Sequence, residues 1–314
     1  MNSTLTSSVS KPAQTTPLEQ PRVVVTGVTS QIGHFLLPGL ANAGFAVHAV
    51  SRKSVQRESG PSGTTWICCD IAQGMPALKQ ETPLLIHLAP LWLLPEIIAP
   101  LAAHGLKRVV AFSSTSIFTK QYSTNAKEIA LVDRLRNAEE VLSRACDRYG
   151  VTWTIFRPTL IYGCGLDRNV ATINRFIGRF GFLPIVRSAS GLRQPVHAAD
   201  LAQACLDVLD NAATFNKAYN LVGGQTLTYR EMVEAIFRSV GRPVRFLALP
   251  EGLFRFAIRC ANVLPRFRDL TPEMASRVND DLCFSSADAS ADFGYAPRPF
   301  CPEARPVSPS STPR

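Results

Sequence analysis

Apolar residues in the first half of this chain fall into short blocks separated by longer amphipathic stretches. Val23-Val24-Val25 is a run of three β-branched residues after Pro21, closed by Thr26-Gly27, and it predicts a buried strand. Ile32, Phe35, Leu36 and Leu40 then recur at helical spacing. Ala46–Ser51, Thr65–Cys69, Leu84–Leu88, Arg108–Ser113 and Thr152–Phe156 predict five further strands. A long helix over Lys127–Tyr149 precedes the last of them, with Ile129, Val132, Leu135, Val141, Leu142 and Ala145 at helical spacing.

Strands separated by helices of this length imply an α/β fold, a Rossmann-type doubly wound parallel sheet. Such sheets bind ligands beyond the carboxyl ends of their strands. The loops after Val25, Val50, Leu88, Phe112 and Phe156 should therefore line one crevice. After residue 160 the alternation loosens. Val170–Phe180 and Ala198–Leu209 predict helices and Lys217–Leu221 a short strand. Thr228–Val240 predicts a helix capped by Thr228, with Glu231 three residues on, a capping-box pattern. The expected organisation is a core over 21–165 and a smaller, mixed substrate lobe over 166–300 with strands returning to the core. The Ser/Thr-rich residues 1–20 and the Pro/Ser-rich residues 301–314 are expected to be disordered tails.

Composition narrows this picture. With 314 residues, 46% of them hydrophobic, the chain can bury one large α/β domain or a domain with a smaller lobe. The apolar run Leu84–Ala103 approaches membrane-spanning length. Pro90, Pro95 and Pro100 break it, and it carries His87 and Glu96, so it reads as a buried strand followed by a short helix. The net charge of +9 favours an anionic ligand or surface, and no aromatic-plus-basic module of a nucleic-acid binder is visible. The eight cysteines lack metal-ligand spacing, so no metal is expected; reduced thiols point to a cytoplasmic protein. One segment, 251–268, interleaves Leu253, Phe254, Phe256 and Ile258 with Arg255, Arg259, Arg266 and Arg268. It is a candidate for packing on the lobe, for a lid, or for peripheral contact with an anionic membrane.

The candidate chemistry begins at the first turn, Gly27-Val28-Thr29-Ser30-Gln31-Ile32-Gly33. A helix N-terminus presents unpaired N–H groups and a partial positive charge, where a pyrophosphate can sit. Gly27 lets the backbone approach the phosphates, and Gly33 lets the helix pack closely on the sheet. Ser30 stands where a third glycine is expected; its small side chain should still allow the approach. After the second strand come Ser51-Arg52-Lys53, with no acidic residue to bond a ribose 2′-hydroxyl. An arginine there accommodates a 2′-phosphate, which favours NADP over NAD.

Taken in order, these and later motifs resemble the extended short-chain dehydrogenase/reductase superfamily, in its NAD(P)-dependent epimerase/dehydratase branch, over about residues 21–300. Thr26-Gly27 with Gly33 is similar to the cofactor turn, and Asp70-Ile71 to the segment that meets the adenine. His87-Leu88-Ala89, followed by Pro90, resembles the family's His-Leu-Ala. Ser113-Ser114-Thr115-Ser116-Ile117-Phe118 resembles Ser-Ser-x-x-Val-Tyr. Arg157-Pro158-Thr159-Leu160-Ile161-Tyr162-Gly163 resembles Arg-Pro-x-x-Val-Tyr-Gly, and Arg193 through Ala202 resembles Arg-x-x-Val-His-Val-x-Asp-Leu-Ala.

The resemblance implies cofactor contacts from Gly27, Thr29, Ser30, Gln31, Ile32, Gly33, Arg52, Lys53, Asp70, Ile71, Leu88, Ala89, Pro90, Ser113, Arg157 and Pro158. It implies substrate contacts from Arg193 and Tyr162, and it makes Ser114 the catalytic serine. His197 matches the motif as well but reads as a hydrogen-bonded structural histidine. Arg175, Arg179 and Arg187 fall in the half where the family binds a nucleotide diphosphate, and equally suit an ordinary surface. The long helix over 127–149 is where many members pair, so a homodimer is a candidate assembly.

The departures matter more. Aligning Ala138-Glu139 with the family's Ala-Glu puts Leu131 and Leu135 where its proton-transferring Tyr-x-x-x-Lys pair belongs. Neither leucine can move a proton. Tyr122 is a candidate replacement donor from a loop; Lys127, five residues on, falls on a different helix face. Two readings follow: an NAD(P)-binding oxidoreductase or epimerase-like enzyme acting by hydride transfer on a sugar nucleotide or similar anionic hydroxy/carbonyl compound, and a catalytically silent NADP-binding sensor or accessory protein.

Overall fold

A computed structural model describes residues 20–303 apart from 54–60, 62, 77, 79, 122, 124, 168, 187–188, 251 and 253–277. The first half runs β1 (Arg22–Thr26), α1 (Gln31–Asn42), β2 (Ala46–Ser51), β3 (Thr64–Cys68), β4 (Leu84–His87), α2 (Pro95–Ala102), β5 (Arg108–Phe112), α3 (Ser116–Thr119), α4 (Ala126–Tyr149) and β6 (Thr152–Pro158). The second half runs β7 (Ile161–Tyr162), α5 (Val170–Phe180), β8 (Leu183–Val186), β9 (Leu192–Arg193), β10 (Val196–His197), α6 (Ala198–Asp207), β11 (Lys217–Leu221), β12 (Leu227–Thr228), α7 (Tyr229–Ser239), β13 (Phe246–Leu249) and α8 (Ala287–Phe293).

Seven strands form one parallel sheet in the order β11-β6-β5-β4-β1-β2-β3. Strand order reverses between β1 and β4, so the crevice of a doubly wound sheet opens there. Alternation along β1 sets the two faces. Val23 and Val25 join the cluster under α1 and α6, with Leu36, Leu40, Leu201 and Cys205. Val24 joins the opposite cluster under α2 and α4, with Ile97, Leu101, Leu135 and Leu142. Buried Arg108, at the start of β5, donates through Nη2 to Thr154 Oγ1, Val208 O and Thr214 Oγ1, tying three elements at the far end from the crevice.

The predicted strands are all present. β3, β4 and β5 end one residue earlier than expected and β6 runs two residues further, to Pro158. The apolar run from Leu84 divides into β4 and the short helix α2. Among the described residues no helix is long and apolar enough to cross a membrane. The remaining strands pair in twos: β7 with β10, β8 with β13 and β9 with β12. A third apolar cluster lies beneath them, built from Ile177, Leu183, Met232, Ile236 and Phe237. Thr228 and Glu231 make the reciprocal capping box at α7. The expected tail 1–20 and the segment 251–268 lie almost wholly outside the described residues, as does 304–314.

Candidate cofactor site

The β1–α1 turn is fixed by close backbone approaches. Gly27 has φ +67°, and a Cβ there would lie 2.4 Å from Ala89 N and 2.6 Å from Leu88 C. A Cβ on Gly33 would lie 2.0 Å from Val28 O. Both glycines are therefore demanded by sterics, the first by the loop after β4, the second by the turn itself. Ser30 is the N-cap of α1: its Oγ accepts from Gly33 N at 3.3 Å, and its N–H donates to Gly27 O at 3.0 Å. The serine's oxygen thus takes up one N–H of the helix end, leaving those of Gln31 and Ile32 at the mouth of the crevice. Ile32 is buried beneath the turn and Thr29 is exposed on it.

His87 staples this turn to the loop after β4. Thr26 Oγ1 donates to His87 Nδ1 at 2.8 Å, and His87 Nε2 donates to Pro90 O at 3.1 Å. This pattern requires the neutral ring. Burial enforces it by lowering the pKa from 6.5 to about 4. Leu88 N also donates to Thr26 O at 2.9 Å, which holds Leu88, Ala89 and Pro90 over Gly27.

The other strand ends arrive at the same edge. Ser51 Oγ accepts from Lys53 N at 3.2 Å, turning the chain so that Arg52 and Lys53 are exposed there. Neither side chain has an ion-pair partner among the described residues. Asp70 accepts from Ala72 N at 3.1 Å and caps a single helical turn over Ile71–Gln73, with Ile71 buried below. Ser113 N donates to Phe156 O, while its buried Oγ has no partner. Gln31 Oε1 is likewise buried and unpartnered. An orphaned oxygen at the glycine cradle and a second at the end of β5, on the same edge of the sheet, are what a bound dinucleotide would satisfy, so these residues fit such a group.

Ser114 sits one residue further along the same loop. Its Oγ accepts from both the N–H (3.1 Å) and the hydroxyl (2.9 Å) of Ser116. Its own proton is left to donate. Arg157, at the end of β6, grips Glu139 of α4 through both carboxylate oxygens, with Nε to Oε1 at 3.0 Å, and lies over the Phe118 ring at 5.5 Å. Neither the Glu139 pairing nor the histidine staple was foreseen, although both residues stand within the quoted motifs.

Both expected substrate residues are buried. Arg193 is buried in the lobe and donates to Leu192 O and Asp280 O, with the Tyr229 ring 5.8 Å away. Tyr162 is buried against His197 and Phe300, and its hydroxyl accepts from Cys301 N. His197 Nδ1 accepts from Ala199 N, capping α6, and burial lowers its pKa. Tyr122 and Arg187 lie outside the described residues, and Lys127 is exposed at the start of α4. None of the six tyrosines is followed by a lysine four residues later.

A parallel sheet with a glycine-lined turn at its switch point defines a dinucleotide-binding α/β protein. Residues 72–222 match the model of the NAD dependent epimerase/dehydratase family. It is 26% identical over 205 residues to the uncharacterized protein y4nG of Sinorhizobium fredii, covering 62% of this chain and 50% of that protein. It is 25% identical over 225 residues to the 2-alkyl-3-oxoalkanoate reductase of Stenotrophomonas maltophilia, covering 64% and 67%. The chain thus spans half the length of the first relative. The UDP-glucose 4-epimerase of Thermotoga maritima, solved with UDP-glucose, shares the fold with a TM-score of 0.68 at 15% identity, covering 91% of this chain and 96% of that one.

Proposed function

We propose that the chain is an NADP-preferring oxidoreductase or epimerase-like enzyme that acts on a sugar nucleotide or a similar anionic hydroxy or carbonyl compound. One observation carries this reading. The glycine cradle, the open N-terminus of α1 and the unpartnered Gln31 Oε1 lie at the β1/β4 switch point, and the unpartnered Ser113 Oγ follows β5, the strand next to β4. A nicotinamide cofactor bound there supplies or accepts hydride. Gly27, Gln31 and Ile32 hold the pyrophosphate by backbone approach and helix N–H groups. Arg52 and Lys53, exposed and without acidic partners, receive the 2′-phosphate. Ile71 and Asp70 border the adenine side, and Ser113 and Pro90 the nicotinamide side.

Ser114 is the residue we assign to the reacting oxygen. Two donations from Ser116 polarise its hydroxyl, so its own proton is directed outward to a substrate carbonyl or alkoxide oxygen. The donor Ser114 offers does not replace a proton shuttle, and the proton itself comes from Tyr122, from water or from the substrate.

The second reading, a cofactor-binding protein without turnover, is favoured by the leucines at positions 131 and 135. One pair of measurements separates them. NADPH titration by fluorescence should show binding that weakens about tenfold in the double variant Arg52→Ala/Lys53→Ala, with NADH binding unmoved. Loss of NADPH absorbance with a panel of carbonyl compounds and nucleotide sugars should then fall about 100-fold in Ser114→Ala. Binding without any turnover selects the silent protein; no binding of either cofactor removes both readings.

A further inference from the structure

One part of the lobe carries exposed apolar side chains and, among the described residues, no negative charge. Phe180, Val244 and Leu247 are 48%, 44% and 48% exposed. The segments that carry them are joined where α5 ends in a left-handed turn at Gly181 and Leu183 N then donates to Arg245 O at 3.0 Å. That bond starts the parallel pairing of β8 with β13, Leu183 against Phe246. Phe176, Phe180 and Phe182 close on one another, with centroids 4.6 to 6.4 Å apart, over the buried Ile177 and Leu183. Arg179, Arg238, Arg242 and Arg245 stand on or next to these segments, all exposed and none in an ion pair among the described residues. The sequence contains no Asp or Glu between Asp167 and Asp200, nor between Glu234 and Glu251, so α5, β8, the end of α7 and β13 are free of acidic residues.

We propose that this surface docks on an anionic lipid bilayer, with Phe180, Val244 and Leu247 entering the acyl boundary and the arginines meeting headgroup phosphates. Exposed aromatic and aliphatic side chains flanked by cations suit an interface that is apolar inside and anionic outside. A second copy of the same face would bring arginine against arginine. A nucleic acid needs open ring faces for stacking; here the rings cover one another, and the Arg179 guanidinium lies 5.6 Å from the Phe180 centroid.

The test is co-sedimentation of the full chain with vesicles of phosphatidylcholine alone or with about 30 mol % phosphatidylglycerol, at roughly 0.1 M salt. Binding to the anionic vesicles should exceed binding to neutral ones at least about fivefold, and Arg179→Glu/Arg242→Glu/Arg245→Glu should reduce it about tenfold or more. Phe180→Ser/Leu247→Ser should lower it about threefold or more while leaving the charge untouched. Both variants should keep their NADPH affinity and melting temperature. That separates this surface from the cofactor site and checks folding; a variant that fails to fold leaves the other to decide. Charge reversal on α4, by Arg144→Glu/Arg148→Glu, should cost less than about twofold. The proposal is overturned if wild-type protein ignores the vesicles, if neutral vesicles bind as well, if the patch variants bind as wild type, or if the α4 variant loses as much. Capture by polyuridylate or an acidic peptide with no vesicle binding overturns it too.

Discussion

Two helix starts face the crevice, and the chain has treated them in opposite ways. At α1 each special residue is held by backbone against backbone: Gly27 against the loop after β4, Gly33 against Val28 O. At α4 the two positions where the resemblance places a tyrosine and a lysine are plain helix positions. Leu131 is 36% exposed, and Leu135 belongs to the apolar cluster with Ile117, Ala138 and Leu142. A change at the first place deforms fold and site together. At the second, Leu131 is open to substitution without touching the core, while Leu135 is held by its apolar packing.

The sharpest way to break that contrast is Gly27→Ala. The added Cβ meets main chain that cannot step aside, at a backbone angle that penalises any side chain. We expect a loss of about 3 kcal/mol in stability and no measurable NADPH binding. Wild-type affinity in this variant would show that the cradle is not the binding site. Next is Leu135→Lys, which puts the lysine that the resemblance implies where this protein has apolar core. A cation forced among Ile117, Leu142 and Ala138 should cost about 2 to 4 kcal/mol by denaturant unfolding. If the variant is instead as stable as wild type, the position opens to solvent and the crevice, and the distinction between the two helices weakens.

The staple at His87 gives a prediction in pH. Burial lowers its folded pKa to about 4 from 6.5. Between those values the unfolded chain binds the proton and the folded one does not. Stability contributed by the neutral ring is therefore full above about pH 6.5 and is lost as pH falls toward 4, by about 3 kcal/mol across the window. His87→Gln keeps groups able to bond Thr26 and Pro90 but does not titrate. Urea midpoints measured from pH 7 to 4.5 should fall more steeply for wild type than for this variant; parallel curves would show that His87 is not the group responsible.

These two regions also show what could be read from residues alone. The β-branched run at Val23–Val25 and the helical spacing across α1 and α4 gave strands and helices close to their observed bounds, because burial on one face imposes a period that sequence displays. The convergence of strand ends at one crevice followed from topology. The paired strands β7/β10, β8/β13 and β9/β12 were out of reach, since two to four residues carry no period. So were the contacts that finish the site. Thr26 and His87 are 61 residues apart, and Glu139 and Arg157 are 18 apart. Nothing local distinguishes such partners from surface residues. Arg193 teaches the converse: its motif is legible, yet its guanidinium is spent on Leu192 O and Asp280 O inside the lobe.

The smallest effect concerns Ser30, and it tests how the cradle tolerates its missing glycine. The expectation from sequence was that a small side chain merely leaves room for phosphate. The structure gives the serine a role of its own, with Oγ accepting from Gly33 N as the cap of α1. A cap is replaceable by glycine at a cost of a few tenths of a kcal/mol, whereas alanine forfeits about 1 kcal/mol. Ser30→Gly should therefore leave the melting temperature and NADPH affinity almost where they are, and Ser30→Ala should lower the melting temperature while changing affinity by less than about threefold. Were Ser30→Ala to weaken NADPH tenfold at unchanged stability, the hydroxyl would be contacting phosphate directly, and the helix end would be completed by the cofactor instead of by its own cap.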